Sequence, residues 1–299
     1  MSGHQPSDVV PAHLYGLRRG TRVVLTVVCA LFALFILAPL VWLLINSTKD
    51  QADVYDSFGF AFAGPFRLFQ NIAALGQDVS GAGVFVQWLG NTLLYAGVGA
   101  VGATILSALA GYGFARFSFR GRNALFFGVM ATLLVPITSL ALPLFLVYAK
   151  VGLVNSIWGM ILPSMVSVIG IYLMRTFIES SVPRELIEAA RIDGASELGI
   201  FLRIAVPLTV PGLVTVLLIT VVAVWNNYFL PLIIFSRNSL YPLTVGLASI
   251  SQSAETGTKA DLVPILISGG LITVLPLIVL FLVLERYFRA GALQGSLTG

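Results

Sequence analysis

Apolar runs of membrane length, separated by short polar stretches, constrain this chain more than any other feature. Val23–Ile45 contains no charged residue. At 1.5 Å of helical rise per residue, a run of this length crosses roughly 30 Å of hydrocarbon. It exceeds the roughly 7–15-residue core of a cleaved signal peptide, so it reads as an uncleaved first span. Comparable runs recur at about 88–114, 124–148, 157–178, 208–235 and 263–284. In lipid each backbone N–H and C=O must be satisfied within the segment or by a closed barrel, and runs this long and continuous favour helix. The expected fold is all-α: an integral membrane bundle of six transmembrane helices over residues 23–285, between an N-terminal tail 1–22 and a C-terminal tail 286–299. Composition agrees, since 58% of the 299 residues are hydrophobic and 10% charged, where a soluble domain carries about a quarter charged.

The cations orient the bundle. Twelve of the 17 Lys and Arg fall in 1–22, 115–123, 175–207 and 285–299, and five in 46–87, 149–156 and 236–262. Cytoplasmic loops carry the excess of positive charge, so both termini and the polar island after the fourth span are expected in the cytoplasm. The net charge of +4 comes from these loops, and no basic run interleaved with aromatics points to nucleic acid. Cys29 is the single cysteine and lies in an apolar run, which leaves no intrachain disulfide or cysteine-rich metal site. His4 and His13 both lie in the N-terminal tail, which argues against a metal centre or a Ser-His-Asp hydrolase. No ionisable residue falls deep in a span, and such groups are the usual mark of an ion relay. The chain lacks G-x-x-x-x-G-K-[ST], so it has no phosphate-binding loop of that type for ATP.

Within the spans, Gly99, Ala103, Ser107 and Gly111 form a row of small residues at every fourth position, beside a second row of Ala96, Ala100, Thr104 and Ala108. Such rows let helix backbones approach closely, so this span is expected at the centre of the bundle, as packing surface rather than ligand site. Pro136 and Pro143 predict kinks in the third span. The outer loop 46–87 carries an aromatic stretch, Phe58–Phe66, that fits either the bilayer interface or an ordinary folded loop. In the fifth span, Trp225, Asn226, Asn227 and Tyr228 place two amides at membrane depth. Those amides either line a hydrophilic path, with Trp225 or Tyr228 offering a ring face to a ligand, or bond across helices.

The island between the fourth and fifth spans reads Glu188-Ala189-Ala190-Arg191-Ile192-Asp193-Gly194 and runs on to Ile204 and Pro207. Pro183 suits a first helical position, Glu185 suits the positive end of the helix dipole, and Gly194 suits a left-handed helix end. Leu186, Ala189, Ala190 and Asp193 fall at helical spacing. Leu186 suits an apolar pocket of a partner, and the two alanines permit close approach. Glu188 reads either as a contact to a basic group on that partner or as an ordinary solvated charge. Asp193 reads as a brace for the turn or a second such contact.

The spacing of Glu188-Ala189-Ala190, Gly194, Ile204 and Pro207 resembles the coupling loop of binding-protein-dependent ABC importer permeases, with Val206 where that pattern has Leu. The form Glu188 to Ala195 resembles the carbohydrate branch. So do Ala110–Arg116 with Phe119–Gly121, the Trp225-Asn226-Asn227 stretch and Tyr287–Gly295. The resemblance implies a maltose-type importer in a bacterial or archaeal inner membrane, of which this chain is the smaller permease. Its partners would be a second homologous permease, an ATPase dimer, a solute-binding protein outside and a sugar. The island would be a cytoplasmic coupling helix between spans 4 and 5. The chain itself would bind no cofactor and catalyse no covalent step, ATP and Mg²⁺ residing on the ATPase subunit. The rival readings are an importer for a polyol, glycerophosphodiester or polyamine, an ion-coupled transporter, and a membrane scaffold.

Overall fold

The computed structural model describes residues 19–77, 84–255 and 262–295, and all regular structure among them is helical. His4, His13, Asp78 and Lys259 lie outside the described residues, as do the side chains of the Tyr287–Gly295 motif. The first span is α1 (Arg19–Asn46), and the loop after it folds into α2 (Gln51–Asp56) and α3 (Leu68–Gln77). The second span is α4 (Val84–Arg116), 33 residues long, or about 50 Å of helix. Then come α5 (Arg122–Ala131), α6 (Ala141–Lys150), α7 (Ile157–Ser164), α8 (Val168–Ser181), α9 (Arg184–Ile192), α10 (Glu197–Ile200), α11 (Val206–Leu208), α12 (Val210–Trp225), α13 (Phe229–Ile234), α14 (Leu243–Glu255) and α15 (Leu262–Gly295).

Four helical stretches, Gly20–Asn46, Val84–Arg116, Ile157–Ser181 and Leu262–Glu285, are each long and apolar enough to cross a membrane. A count of six requires two bent pairs to act as single spans. These are Arg122–Leu134 with Ile137–Lys150, bent by 90°, and Glu197–Leu208 with Val210–Trp225, bent by 80°. The bend in the third run sits at Val135–Pro136, where Pro136 takes an extended ψ of 120°. Pro143, by contrast, falls in the first turn of α6. Its missing N–H has no intrahelical partner there, so no kink forms at it. The fifth run also differs from its sequence outline of 208–235. Leu208 closes α11, the membrane helix α12 covers only Val210–Trp225, and the chain breaks at Asn226–Tyr228 before α13.

Two cores share α4 as their common wall. The outer core gathers Trp88, Tyr95, Met160, Trp225, Ile234 and Leu243. The inner core gathers Tyr112, Met174, Ile178, Ile187, Ile200 and Phe201. The small-residue row of α4 faces α7 and α8. A Cβ on Gly99 would lie 2.7 Å from the Ser164 side chain, and one on Gly111 would lie 2.8 Å from the backbone of Arg175. Between them Ala103 and Ser107 are fully buried, and the Ser107 hydroxyl donates to the Ser167 carbonyl at 3.4 Å.

The N-terminal end of α4 clamps the segment before α14. Trp88, Asn91, Thr92 and Tyr95 share one helix face. The Trp88 indole N–H donates to the Asn238 carbonyl and side-chain oxygens at 3.0 and 2.9 Å. Asn91 Nδ2 donates to the carbonyls of Ser239 and Tyr241, and the Tyr95 hydroxyl to that of Leu240. Thr92 Oγ1 accepts the Leu243 N–H at 2.8 Å, which starts α14. Gly246, one turn into α14, lies flat against the Trp88 ring: a Cβ there would sit 2.2 Å from it. The stretch read from sequence as an outer loop, 236–262, thus contains a packed helix, Leu243–Glu255.

The loop after α1 is anchored as firmly. Lys49 is 0% exposed, and its ammonium donates to the Ser57 hydroxyl at 2.9 Å and the Phe58 carbonyl at 3.1 Å. Asn46 holds the Gly59 carbonyl at 2.7 Å, and Asn71 holds those of Ser47 and Lys49. Phe58, Phe60, Phe62 and Phe66 all remain exposed on this fixed frame.

Candidate coupling helix and membrane cavity

The polar island folds as two short helices at an elbow. Pro183 is the N-cap of α9, one position earlier than the sequence suggests, with Glu185 in the first turn. Gly194 adopts φ +80°, a left-handed conformation that costs glycine no side-chain clash. Around it the Ala195 N–H donates to the Ala190 carbonyl and the Gly194 N–H to the Arg191 carbonyl, at 3.0 and 3.1 Å. This pair of bonds is a Schellman motif, which satisfies carbonyls the helix end would otherwise leave bare. Ser196 then caps α10, its hydroxyl accepting the Gly199 N–H.

Ile187 is buried in the inner core, and this one inward residue fixes which way α9 faces. Leu186, Glu188, Ala189, Ile192 and Asp193 are all exposed, Ile192 at 86%. Ala190 is half-buried. Ile204 packs against the inner core, and Pro207 is exposed in α11. Asp193 is the C-cap residue of α9 and has no side-chain hydrogen bond or ion pair among the described residues. The brace across the turn comes instead from Arg191, whose Nε donates to Glu197 at 2.6 Å, and this contact raises the Arg191 pKa further. The Tyr112 hydroxyl of α4 reaches the same Glu197 carboxylate at 3.5 Å. Arg116, at the end of α4, donates to the Ile178 and Val182 carbonyls at the end of α8. Thus α4, α8, α9 and α10 meet in one knot of side-chain bonds. Sequence reading singled out neither Tyr112 nor Arg116 as part of it, because their partners are far along the chain.

A cavity of about 250 Å³ opens at the breaks in the fourth and fifth runs. Its polar lining is Ser164, Ser167, Thr220 and Asn227, set among Pro163, Ile219 and other apolar groups. The Thr220 hydroxyl is buried with no hydrogen-bond partner among the described residues. Asn227 Oδ1 accepts the Leu230 N–H at 3.3 Å. The neighbouring stretch does not converge on the cavity as a unit. Asn226 folds back, donating to the Val222 carbonyl of its own helix at 2.9 Å. Trp225 is 2% exposed within the outer core, so its ring faces are covered and unavailable for stacking on a sugar. Tyr228 is exposed. Thr220 escaped sequence reading because a lone threonine in an apolar run carries no periodic signal. Ser164 and Ser167 flank a helix break that only the folded chain reveals.

A bundle of apolar helices with a helical knob among arginines and an uncharged cavity at two helix breaks has the form of a membrane transport subunit. The chain belongs to the binding-protein-dependent transport system inner membrane component family, whose model matches residues 103–292, and it is an ABC importer permease. It is 36% identical, over 73% of its own length and 76% of the relative's, to the arabinooligosaccharides transport system permease protein AraQ of Halalkalibacterium halodurans. It is 30% identical, over 93% of its length and 98% of the relative's, to the sn-glycerol-3-phosphate transport system permease protein UgpE of Yersinia pestis. Its fold matches a chain from the crystal structure of a bacterial ABC transporter involved in the import of the acidic polysaccharide alginate, with a TM-score of 0.76, 24% identity, and coverage of 91% of this chain and 99% of that one.

Proposed function

We propose that this chain is one of two homologous permeases in an ATP-driven sugar importer, spanning the membrane six times with both termini in the cytoplasm. A separate ATPase dimer binds ATP and Mg²⁺ and grips α9, and a solute-binding protein delivers the sugar from outside. The observation that carries the reading is the rigid, outward-facing α9. Its exposed Leu186, Ala189 and Ile192 form an apolar ridge, with Glu188 and Asp193 as flanking charges. A short helix of this kind suits docking of its apolar face into a groove, the side chains at helical spacing acting as anchors. When the ATPase halves close, α9 moves as a body, and its Arg191–Glu197 bond to α10, which Tyr112 of α4 also reaches, together with Ile187 in the core, passes the motion to the helices that line the cavity.

The neutral lining of that cavity supports a hydroxyl-rich cargo. Ser164, Ser167 and Asn227 are polar lining groups without charge. A phosphorylated cargo, such as the UgpE relative's, would favour a cation there. The test is a tagged pull-down from native membranes, with ATPase activity assayed on the eluate. Wild type is expected to bring down an ATPase and a second permease, and Glu188→Lys to lose most of the ATPase activity. Isolation of the chain alone, or full ATPase recovery with Glu188→Lys, would sink the reading.

A further inference from the structure

A cleft of about 300 Å³ lies between the cytoplasmic end of α4, the α4–α5 turn and the start of α9. Four arginines line it, Arg116, Arg122, Arg184 and Arg191, against one carboxylate, Glu188. Acids offset part of this charge, Glu188 in the lining and Glu185 near Arg116, and leave Arg122 and Arg184 without an ion pair among the described residues. Glu197 is paired with Arg191, and Glu179 with Arg175. Arg184 has no hydrogen bond or ion pair among the described residues, and it stands close enough to Arg116 for like-charge repulsion. Arg116 Nε is buried without a partner. The first-turn amides of α9 carry no side-chain cap, which adds the positive end of a helix dipole to the same side.

Guanidinium groups match phosphate geometry, and an uncapped helix start favours an anion. The cleft is also not a purely aqueous basin. A second depression of about 340 Å³ adjoins it, sharing Ser118 and Arg122 and walled by Phe119. Beyond it Leu125 and Phe127, on the first turns of a span, are exposed. A basic head site thus runs directly into an apolar wall at the membrane boundary. Basic pockets of this kind beside cytoplasmic helix ends suit acidic lipid head groups.

We propose that this cleft binds the phosphate head group of an anionic phospholipid of the cytoplasmic leaflet, its acyl chains lying along Phe119, Leu125 and Phe127. The lipid phosphate would then neutralise Arg122 and Arg184 and tie the start of α9 to the membrane surface. The cleft and the proposed ATPase ridge meet at Glu188, whereas Leu186, Ala189 and Ile192 of the ridge do not line the cleft.

The test is native mass spectrometry of the full chain, purified with whatever subunits accompany it, in a zwitterionic detergent. The probes are phosphatidylglycerol, phosphatidylcholine of the same acyl chains, and inorganic phosphate. Wild type is expected to retain phosphatidylglycerol about tenfold more tightly than phosphatidylcholine, equivalent to about 1.4 kcal/mol. The double variant Arg122→Gln with Arg184→Gln should lose that preference, and Arg122→Lys with Arg184→Lys should keep most of it, which separates charge loss from misfolding. Displacement of the lipid by millimolar inorganic phosphate would support the same phosphate chemistry with a soluble source. Equal retention of both lipids, or a glutamine variant that holds phosphatidylglycerol like wild type, would overturn the proposal. So would a glutamine variant that sheds its ATPase with lipid retention unchanged, since that would assign the arginines to a protein carboxylate. Lipid retention is read on the chain itself, so this result stands apart from whether the importer reading holds.

Discussion

Single glycines mark where this chain tolerates least change. Gly194 takes φ +80° with open space around it, so alanine there fits sterically but strains the backbone. The cost is roughly 1 kcal/mol or more, falling on the turn that sets α9 against α10. Gly194→Ala is expected to leave the chain in the membrane while lowering ATP-driven transport severalfold, read as labelled-sugar uptake against expression level. Gly246 poses the opposite problem. Its φ is ordinary, but a side chain there collides with the Trp88 ring. Overpacking of a tight core costs about 1–3 kcal/mol, so Gly246→Ala should lower the thermal midpoint of the purified protein by a few degrees. Of these two glycines only the first was legible in sequence. Gly194 follows a helical pattern and precedes a capping serine, whereas Gly246 owes its role to an indole 158 positions away, as the numbering of the pair shows.

At the scale of elements, periodicity located the helices, and Pro136 and Gly194 marked two of the breaks. The small-residue row on α4 and the apolar length of α1 and α15 are local properties, and the folded chain keeps them. The break at Asn226–Tyr228 is different. It is stabilised by Thr244 Oγ1 donating to the Asn227 carbonyl at 2.8 Å, a contact no window of sequence contains. The same holds for α14, whose first turn depends on Thr92 of α4 accepting the Leu243 N–H. Thr92→Val keeps the shape of the side chain and removes the acceptor. A buried N–H left without a partner costs about 1–3 kcal/mol. Hydrogen exchange at the Leu243–Ile250 amides is therefore expected to speed up by an order of magnitude or more, with α4 itself unchanged. Equal exchange in the two proteins would show that the clamp rests on Trp88, Asn91 and Tyr95.

For the whole molecule, orientation follows from charge, and two cysteine positions test it. In a Cys29→Ala background, Ser118→Cys lies in the exposed turn after α4 and Arg237→Cys in the exposed segment after α13. A membrane-impermeant thiol reagent added to intact cells is expected to label the second and spare the first, with both labelled after lysis. The reverse pattern would invert the topology drawn from the arginines. The helix α9 also has a consequence for assembly. Its C-terminal end is closed by the Gly194 turn and its body is buttressed by Ile187 before any partner arrives, so docking orders no chain. The heat-capacity change on association should then track the apolar area of one helix ridge, without the much larger decrement of a segment that folds as it binds.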